Sequence, residues 1–491
     1  MGRIGRRPQS GPTPERSQIV LLASLAIRMA VSVGLSVLVG RLLSPREFGN
    51  FALVATMFGL AHELTDLGTG NVAVRGTASA RTTERQSLEH LLGVRLVLSL
   101  AASAICAGFA FTQADAMLRA MLLATAAVLA FSYVSAFGTV FQLRQAPVAP
   151  AVLSVTVQLG VLLAAGALLL MMPASGGWVP GLVVAREAVV VVGTQVLAVR
   201  LLGYTPWPRL TGAELRQFVR TAAIVALGSL AFNFQLQGGL FWVRFMRPGD
   251  EVGAFAAALR PLAPLLFLPW IVMQPLVPLL SYLAAHNRSA FLRQAQGTLD
   301  LTLGLGAVIA AATFQLADPV LSFLYGARFS TGPLSAVDTL QWLALPLGGS
   351  FLVAAMFTVQ LADHSEGSLL RLIAAALIPY TGANLVLLPR YGFLGSAMAS
   401  AFTIGLIALG GLVILRSTAE IRPGPRSAMV LLPGIVLCLL LQFLPGPVPV
   451  RLALGSLLTA AALIAVWHFP GLSANRAEQA ALTQQALTAH V

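Results

Sequence analysis

Residues 19–40 read IVLLASLAIRMAVSVGLSVLVG, an apolar run with one full charge, Arg28, near its middle. At about 1.5 Å of rise per residue, a helix of this length crosses a hydrocarbon core about 30 Å thick. Arg28 then lies roughly 13 Å inside it if Ile19 marks the cytosolic edge. A guanidinium cannot shed its proton, and its insertion costs roughly 2.5–3.5 kcal/mol even on lenient scales. Such a charge persists where it faces water or an anion inside a bundle. The run therefore reads as the first span of a two-lobed transporter, with Arg28 on one wall of an inward-facing cationic cavity.

Composition points the same way. Of 491 residues, 57% are hydrophobic and 10% charged, and the mean hydropathy is +0.83; soluble domains carry about 25% charge, so the class is polytopic membrane protein. All 31 basic residues are arginines, and the net charge is +13. They are scattered singly between apolar segments, which fits positive-inside topology and not a nucleic-acid surface. Cys106 and Cys438 sit inside apolar segments and give neither a disulfide framework nor a metal motif. The basic N-terminus followed by a long apolar run reads as a retained first helix, with Arg6-Arg7 as a cytosolic anchor.

The fold class expected is all-α and polytopic, with about fourteen transmembrane helices in two six-helix lobes around a central cavity plus two C-terminal helices. The spans fall near 19–40, 49–70, 91–111, 117–142, 150–172, 179–202, 218–242, 253–284, 297–317, 335–361, 368–388, 393–415, 428–444 and 451–469. The corresponding organisation is a cytosolic tail 1–18, an N-lobe 19–202, a cytosolic linker 203–217, a C-lobe 218–416, two further helices within 417–469, and a cytosolic tail 470–491. With the N-terminus inside, roughly 19 arginines fall in cytosolic segments against roughly 9 outside, which places both termini in the cytosol. Arg41-Leu-Leu-Ser-Pro45-Arg-Glu-Phe-Gly49-Asn-Phe51 is echoed by Arg244-Phe-Met-Arg-Pro248-Gly-Asp-Glu-Val-Gly253-Ala-Phe255, and Phe141-Gln-Leu by Val359-Gln-Leu. The similar offsets imply a parallel repeat of the lobes, with chance likeness in apolar sequence as the alternative.

The eighth span carries Pro261, Pro264, Pro269, Pro275 and Pro278. Each proline removes a donor and clashes one turn back, so the segment should bend or break, either as a static kink or as a gating hinge. Arg260 lies about 12 Å and Arg186 about 11 Å from the outer edge, and Arg28 about 17 Å from it, all in one slab of the membrane. A diphosphate has several oxygens suited to arginine's planar fork, so these three are candidate ligands for one. The competing reading for each is a salt bridge that positions helices, with Glu187 the obvious partner for Arg186. Carboxylates are few: Glu63 and Asp66 share a face of the second span with His62, and could couple to protons or pair with arginines such as Arg75. Asn233, Gln235 and Gln237 make the seventh span polar, as substrate contacts or as helix–helix hydrogen bonds. No catalytic motif, metal site or cofactor signature is present, so ATP is not hydrolysed by this chain and any drive comes from a gradient.

Leu43-Ser-Pro45-Arg-Glu-Phe48-Gly49-Asn-Phe51, then Thr65-Asp66-Leu67-Gly68 and Arg75, resembles the opening of polysaccharide transporters, including the O-antigen flippases, of the multidrug/oligosaccharidyl-lipid/polysaccharide (MOP) exporter superfamily. Val252-Gly253-Ala-Phe255 before Ala258-Leu-Arg260, Leu324-Tyr325-Gly326 with Phe329, and Arg390-Tyr391-Gly392 with Gly395 extend the resemblance over nearly the whole chain. It implies alternating access and transfer of a polyprenyl-diphosphate-linked oligosaccharide across a bacterial cytoplasmic membrane for cell-surface polysaccharide, such as lipopolysaccharide. Implied partners are membrane lipids, a polysaccharide polymerase and glycosyltransferases; the chain itself is expected to be a monomer. The same resemblance places Arg260 like a cavity arginine of lipid II flippases, and Arg28 on the helix that carries such residues. Members often have an acid late in the seventh helix, where this chain has Gln237 and Gly238. A cation or drug antiporter would want cavity carboxylates, and a glycan polymerase or ligase would want acids or histidines on a large outer loop. A non-transport membrane subunit would have no use for three arginines at one depth.

Overall fold

The computed structural model describes residues 14–66, 84–144, 148–171, 178–209, 227–418, 429, 431–442 and 447–468, and every described element is helical. Among these residues, nine helices are long and apolar enough to cross a membrane. The count is ten if Ala116–Ala130 and Ser132–Phe141, bent by 46°, form one span; Leu432–Leu441 is a shorter apolar helix. The protein is thus an all-α polytopic membrane protein, and fourteen remains the sequence count. Residues 1–13 of the expected N-terminal tail, the C-terminal tail, Arg75 and residues 210–217 of the expected linker lie outside the described residues, while residues 14–18 of the N-terminal tail are the start of a helix.

By its internal contacts the chain divides into two units, Met1–Ser36 with Leu64–Val219, and Val37–Glu63 with Arg220–Val491. The first two helices, α1 (Pro14–Leu42) and α2 (Pro45–Asp66), each contribute to both. The start of α2 is set by a reciprocal capping box. Glu47 accepts from the Ser44 backbone N–H at 3.0 Å, and Ser44 Oγ accepts from the Glu47 N–H at 3.3 Å. Pro45 occupies the first helical position, where its missing N–H costs nothing. This explains why the helix begins four residues before the expected 49.

The first unit holds α3 (Glu84–Phe111), α4 (Ala116–Ala130), α5 (Val148–Met171) and α6 (Val179–Leu202). Asp115 caps α4 by accepting from the N–H groups of Met117 and Leu118. After Phe131 the chain tightens into a 3₁₀ turn, Ser132–Phe137, which is the bend. Leu88, Leu91 and Leu92 of α3 pack there on Val134, Phe137, Val140 and Phe141, with Ala198 of α6 closing the cluster. The outer faces of α5 and α6, with Leu163, Leu170 and Val192, are exposed and apolar, as lipid contact demands.

In the second unit, residues 227–237 are helical and are followed by α7 (Gly239–Met246) and α8 (Gly249–Leu259). The proline-rich eighth span does break. After α8 come 3₁₀ turns at Arg260–Leu262 and Leu265–Phe267, then α9 (Leu268–Met273) and α10 (Leu276–His286). The interruptions fall at Pro261, Pro264 and Pro275, where no proline N–H can complete the α-ladder. Next are α11 (Arg288–Gln315), α12 (Ala317–Tyr325), a short turn of helix Ala327–Ser330, and α13 (Val337–Ala362). Asn287 accepts from the Ala290 N–H and so starts α11 well before the expected 297. The last elements are α14 (Glu366–Ala375), α15 (Leu377–Tyr391), α16 (Leu394–Thr418), α17 (Leu432–Gln442) and α18 (Val448–Trp467). The core of this unit joins α10, α11, α13 and α16 through Leu280, Phe291, Ala295, Met356 and Ile407. Helices α17 and α18 pack on α11 through Leu437, Leu441 and Val466.

Candidate functional site

In the first unit, Arg28 sits half-buried on α1. Gln158 of α5 donates to its main-chain carbonyl at 2.9 Å. The Arg28 Nε is buried without a hydrogen-bond partner, and the side chain makes no ion pair among the described residues. A guanidinium in that state has donors to offer an anion. Arg186 is different: it is ion-paired with the adjacent Glu187, its Nε donating to Oε1 at 3.0 Å. Of the two readings for Arg186, the structure displays the salt bridge.

In the second unit, Arg260 ends α8 where the proline-rich break begins. Its Nη2 donates to the main-chain carbonyl of Ala52 at 2.6 Å and approaches Thr56 Oγ1 at 3.4 Å. The guanidinium lies over the Phe51 ring, 5.7 Å from its centroid, within cation–π range. Tyr325 is close enough to feel its charge: burial pushes the phenol up and Arg260 pulls it partly back, so the group stays neutral at physiological pH. Helix α2 therefore presents one face, Phe51-Ala52 and Thr56, to Arg260.

The polar residues of the seventh span divide. Asn233 donates to the Ser229 carbonyl one turn back, Gln235 is fully buried and donates to Ile373 O, and Gln237 is half-buried. Gln235 also joins a buried polar seam: Ser400 donates to its main-chain carbonyl, and Ser396 donates to Asn384 Oδ1 at 2.7 Å. This is helix–helix hydrogen bonding of the expected kind. Glu63 is half-buried and His62 exposed on α2; the Asp66 side chain lies outside the described residues.

Two features escaped the sequence reading. Arg95 of α3 is 3% exposed and donates to Ser135 at the 3₁₀ bend at 3.0 Å. Glu89, 2% exposed, receives both Arg85 and Arg209, each at 2.9 Å. The Arg209 backbone also donates to Glu89 O, and a Cβ on Gly93 would strike the Arg209 carbonyl. The start of the linker is thus clamped to α3. Arg85 held by Glu89 has its pKa raised, chiefly by that hydrogen bond. The spacing Arg85–Glu89, four apart on a helix, was the one legible signal.

Comparison with known proteins matches residues 16–284 to the family described as "Polysaccharide biosynthesis protein". Among solved structures, the lipid II flippase MurJ in an inward closed conformation superposes with a TM-score of 0.70 at 13% identity, covering 92% of this chain and 99% of that one. An inward-facing multidrug resistance MATE transporter of the MOP superfamily gives 0.60 at 14% identity, covering 82% and 98%. A MOP superfamily transporter from Pyrococcus furiosus, whose binding pocket is described as reversed in polarity, gives 0.52 at 14% identity, covering 83% and 97%. At these identities the likeness establishes a shared fold. No curated protein sequence matches.

Proposed function

The chain belongs to the polysaccharide biosynthesis protein family, and from that premise we propose that it is a flippase for an anionic polyprenyl-diphosphate-linked oligosaccharide. The observation that carries the reading is Arg28, a half-buried guanidinium on α1, in the run read from the sequence as the first span, with a buried Nε that nothing among the described residues accepts from. A cationic drug would be repelled by it, whereas a diphosphate would satisfy it. Arg260 is the second ligand residue, set at the break of the proline-rich segment where a change of helix direction can present or withdraw it. Arg186, already neutralised by Glu187, is assigned the minor part. Asn233 and Gln237 serve the sugars, and Pro261, Pro264, Pro269, Pro275 and Pro278 form the hinge. The lipid tail stays in the bilayer while the headgroup crosses from the cytoplasmic leaflet of the inner membrane to the outer one. A polymerase and glycosyltransferases would act on either side of this step.

The test is complementation of a strain lacking the gene, read as surface glycan display with membrane level measured in parallel. Arg28→Ala and Arg260→Ala should each abolish display at unchanged protein level. Full display by both single variants would end the proposal.

A further inference from the structure

Helix α13 ends in a turn whose main chain is closed and whose side chains are not. His364 adopts φ +54°, in the left-handed region. Its N–H donates to Leu361 O at 3.4 Å, and the Ser365 N–H donates to Gln360 O at 2.8 Å. This is the Schellman arrangement, in which the residues at the positions of Gln360 and Ser365 usually make an apolar contact. Here both are polar. Gln360 is fully buried, and neither its Oε1 nor its Nε2 has a hydrogen-bond partner among the described residues. Ser365 is the N-cap of α14, where a hydroxyl ordinarily accepts from the first turn. Its Oγ caps nothing and is also buried and unpartnered. Glu366, the next residue, buries an Oε2 that likewise meets no donor. The packing brings these groups together: a Cβ on Gly411 of α16 would meet both Met356 Sδ and Leu369 Cδ1. Gln360 lies one turn beyond Met356 on its face of α13, and Glu366 one turn before Leu369 on its face of α14. Both therefore border the gap between the two helix ends. The charges beside them are engaged elsewhere, Asp363 with Arg288 at 2.5 Å and Arg371 with Gly367 O at 3.1 Å.

We propose that Gln360 Oε1, Ser365 Oγ and Glu366 Oε2 bind a monovalent cation, sodium or potassium, that pins α14 to the end of α13. A buried carboxylate oxygen and a buried amide are costly unless something compensates them. An alkali ion does so for all three oxygens at once, since hard cations take carboxylate, carbonyl and hydroxyl oxygens as ligands. The C-terminus of α13 adds the negative end of its dipole, which favours a positive charge there. One carboxylate balances one positive charge. Among the described residues, no group of three His, Cys, Asp or Glu gathers to hold a metal. Gln360 Nε2 is left to donate to a water in the ion's shell. The neighbouring His364 is exposed, so the turn lies at the water side of the unit and an ion has a way in. The site is separate from the arginines of the transport reading and does not depend on them.

The experiment measures retention of radioactive sodium by the purified full-length protein in choline chloride, by scintillation proximity, with unlabelled sodium and potassium as competitors. The parent should retain the label. Displacement by both ions at similar concentrations makes this a site for either, and displacement by sodium at far lower concentration makes it a sodium site; both support the proposal. Glu366→Gln removes the one ionised ligand and should weaken retention by about tenfold to a hundredfold. Ser365→Ala should weaken it less, and Asp363→Asn, whose charge is taken by Arg288, should leave it unchanged. Thermal melting is the second measurement. Sodium at about ten times its dissociation constant favours the folded parent roughly elevenfold over choline, seen as a rise in melting temperature. Gln360→Leu restores the apolar contact usual at this turn, so it should melt no lower than the parent in choline and gain nothing from sodium. A parent that retains no sodium, undiminished retention in Glu366→Gln, or an equal sodium gain in Gln360→Leu and the parent overturns the proposal.

Discussion

Arg28 supplies both a charge and a planar fork, and the two can be separated. Arg28→Lys keeps the charge but loses bidentate geometry, so binding of a diphosphate-headed lipid should weaken while some activity survives. Arg28→Ala removes charge-assisted hydrogen bonds worth about 1.5–3 kcal/mol and should weaken binding by roughly tenfold to a hundredfold. Titration of purified protein with the lipid, followed by intrinsic fluorescence, distinguishes the three proteins; equal affinities would remove Arg28 from the site. Arg186→Gln should change the same affinity little, because its charge is already engaged by Glu187. Arg28 was legible in the sequence because a lone cation in an apolar run has few explanations. The Ala52 carbonyl that holds Arg260 was not, because it lies 208 positions away and main-chain acceptors leave no mark in a residue pattern. The Glu89–Arg209 clamp was hidden for the same reason of distance, although its local half, Arg85 with Glu89, had the spacing of a helical ion pair.

Helix α8 and the breaks after it show how far element-level reading goes. Five prolines announced an interrupted segment, and the 3₁₀ turns at Arg260–Leu262 and Leu265–Phe267 are that interruption. Helix starts were less visible where a cap and not hydrophobicity set them: Ser44 with Glu47 begins α2, and Asn287 begins α11, both ahead of the apolar run. Ser44→Ala should therefore lower thermal stability by about 1 kcal/mol, the usual worth of an N-cap, at unchanged ligand affinity. Gly253→Ala is expected to act more strongly, since its Cβ would strike the Pro45 carbonyl and main chain cannot swing aside. Overpacking of that kind costs about 1–3 kcal/mol. It should appear as a lower melting temperature. A Gly253→Ala protein as stable as its parent would mean that the approach of Gly253 to the Pro45 main chain is not a tight contact.

For the whole molecule, charge selectivity separates the flippase from a cation antiporter on the same fold. Both possibilities are compatible with the structural likenesses, which at 13–14% identity reach only the architecture. The amino-acid balance is more discriminating. Thirty-one arginines against 18 acids leave a net charge of +13; a positive-inside bias would explain arginines in connections on the cytosolic side, but not Arg28 in the run that the sequence reads as the first span. A ligand that binds only the folded protein stabilises it by about 2.7 kcal/mol at a hundredfold excess over its dissociation constant. Undecaprenyl diphosphate in detergent should accordingly raise the melting temperature of the wild type, and the increment should shrink in Arg28→Ala. Ethidium and tetraphenylphosphonium, cations that an antiporter would hold against carboxylates, should give no increment in either. Stabilisation by the cations and not by the diphosphate would reverse the assignment, because a site organised around an uncompensated guanidinium has no electrostatic means of preferring them.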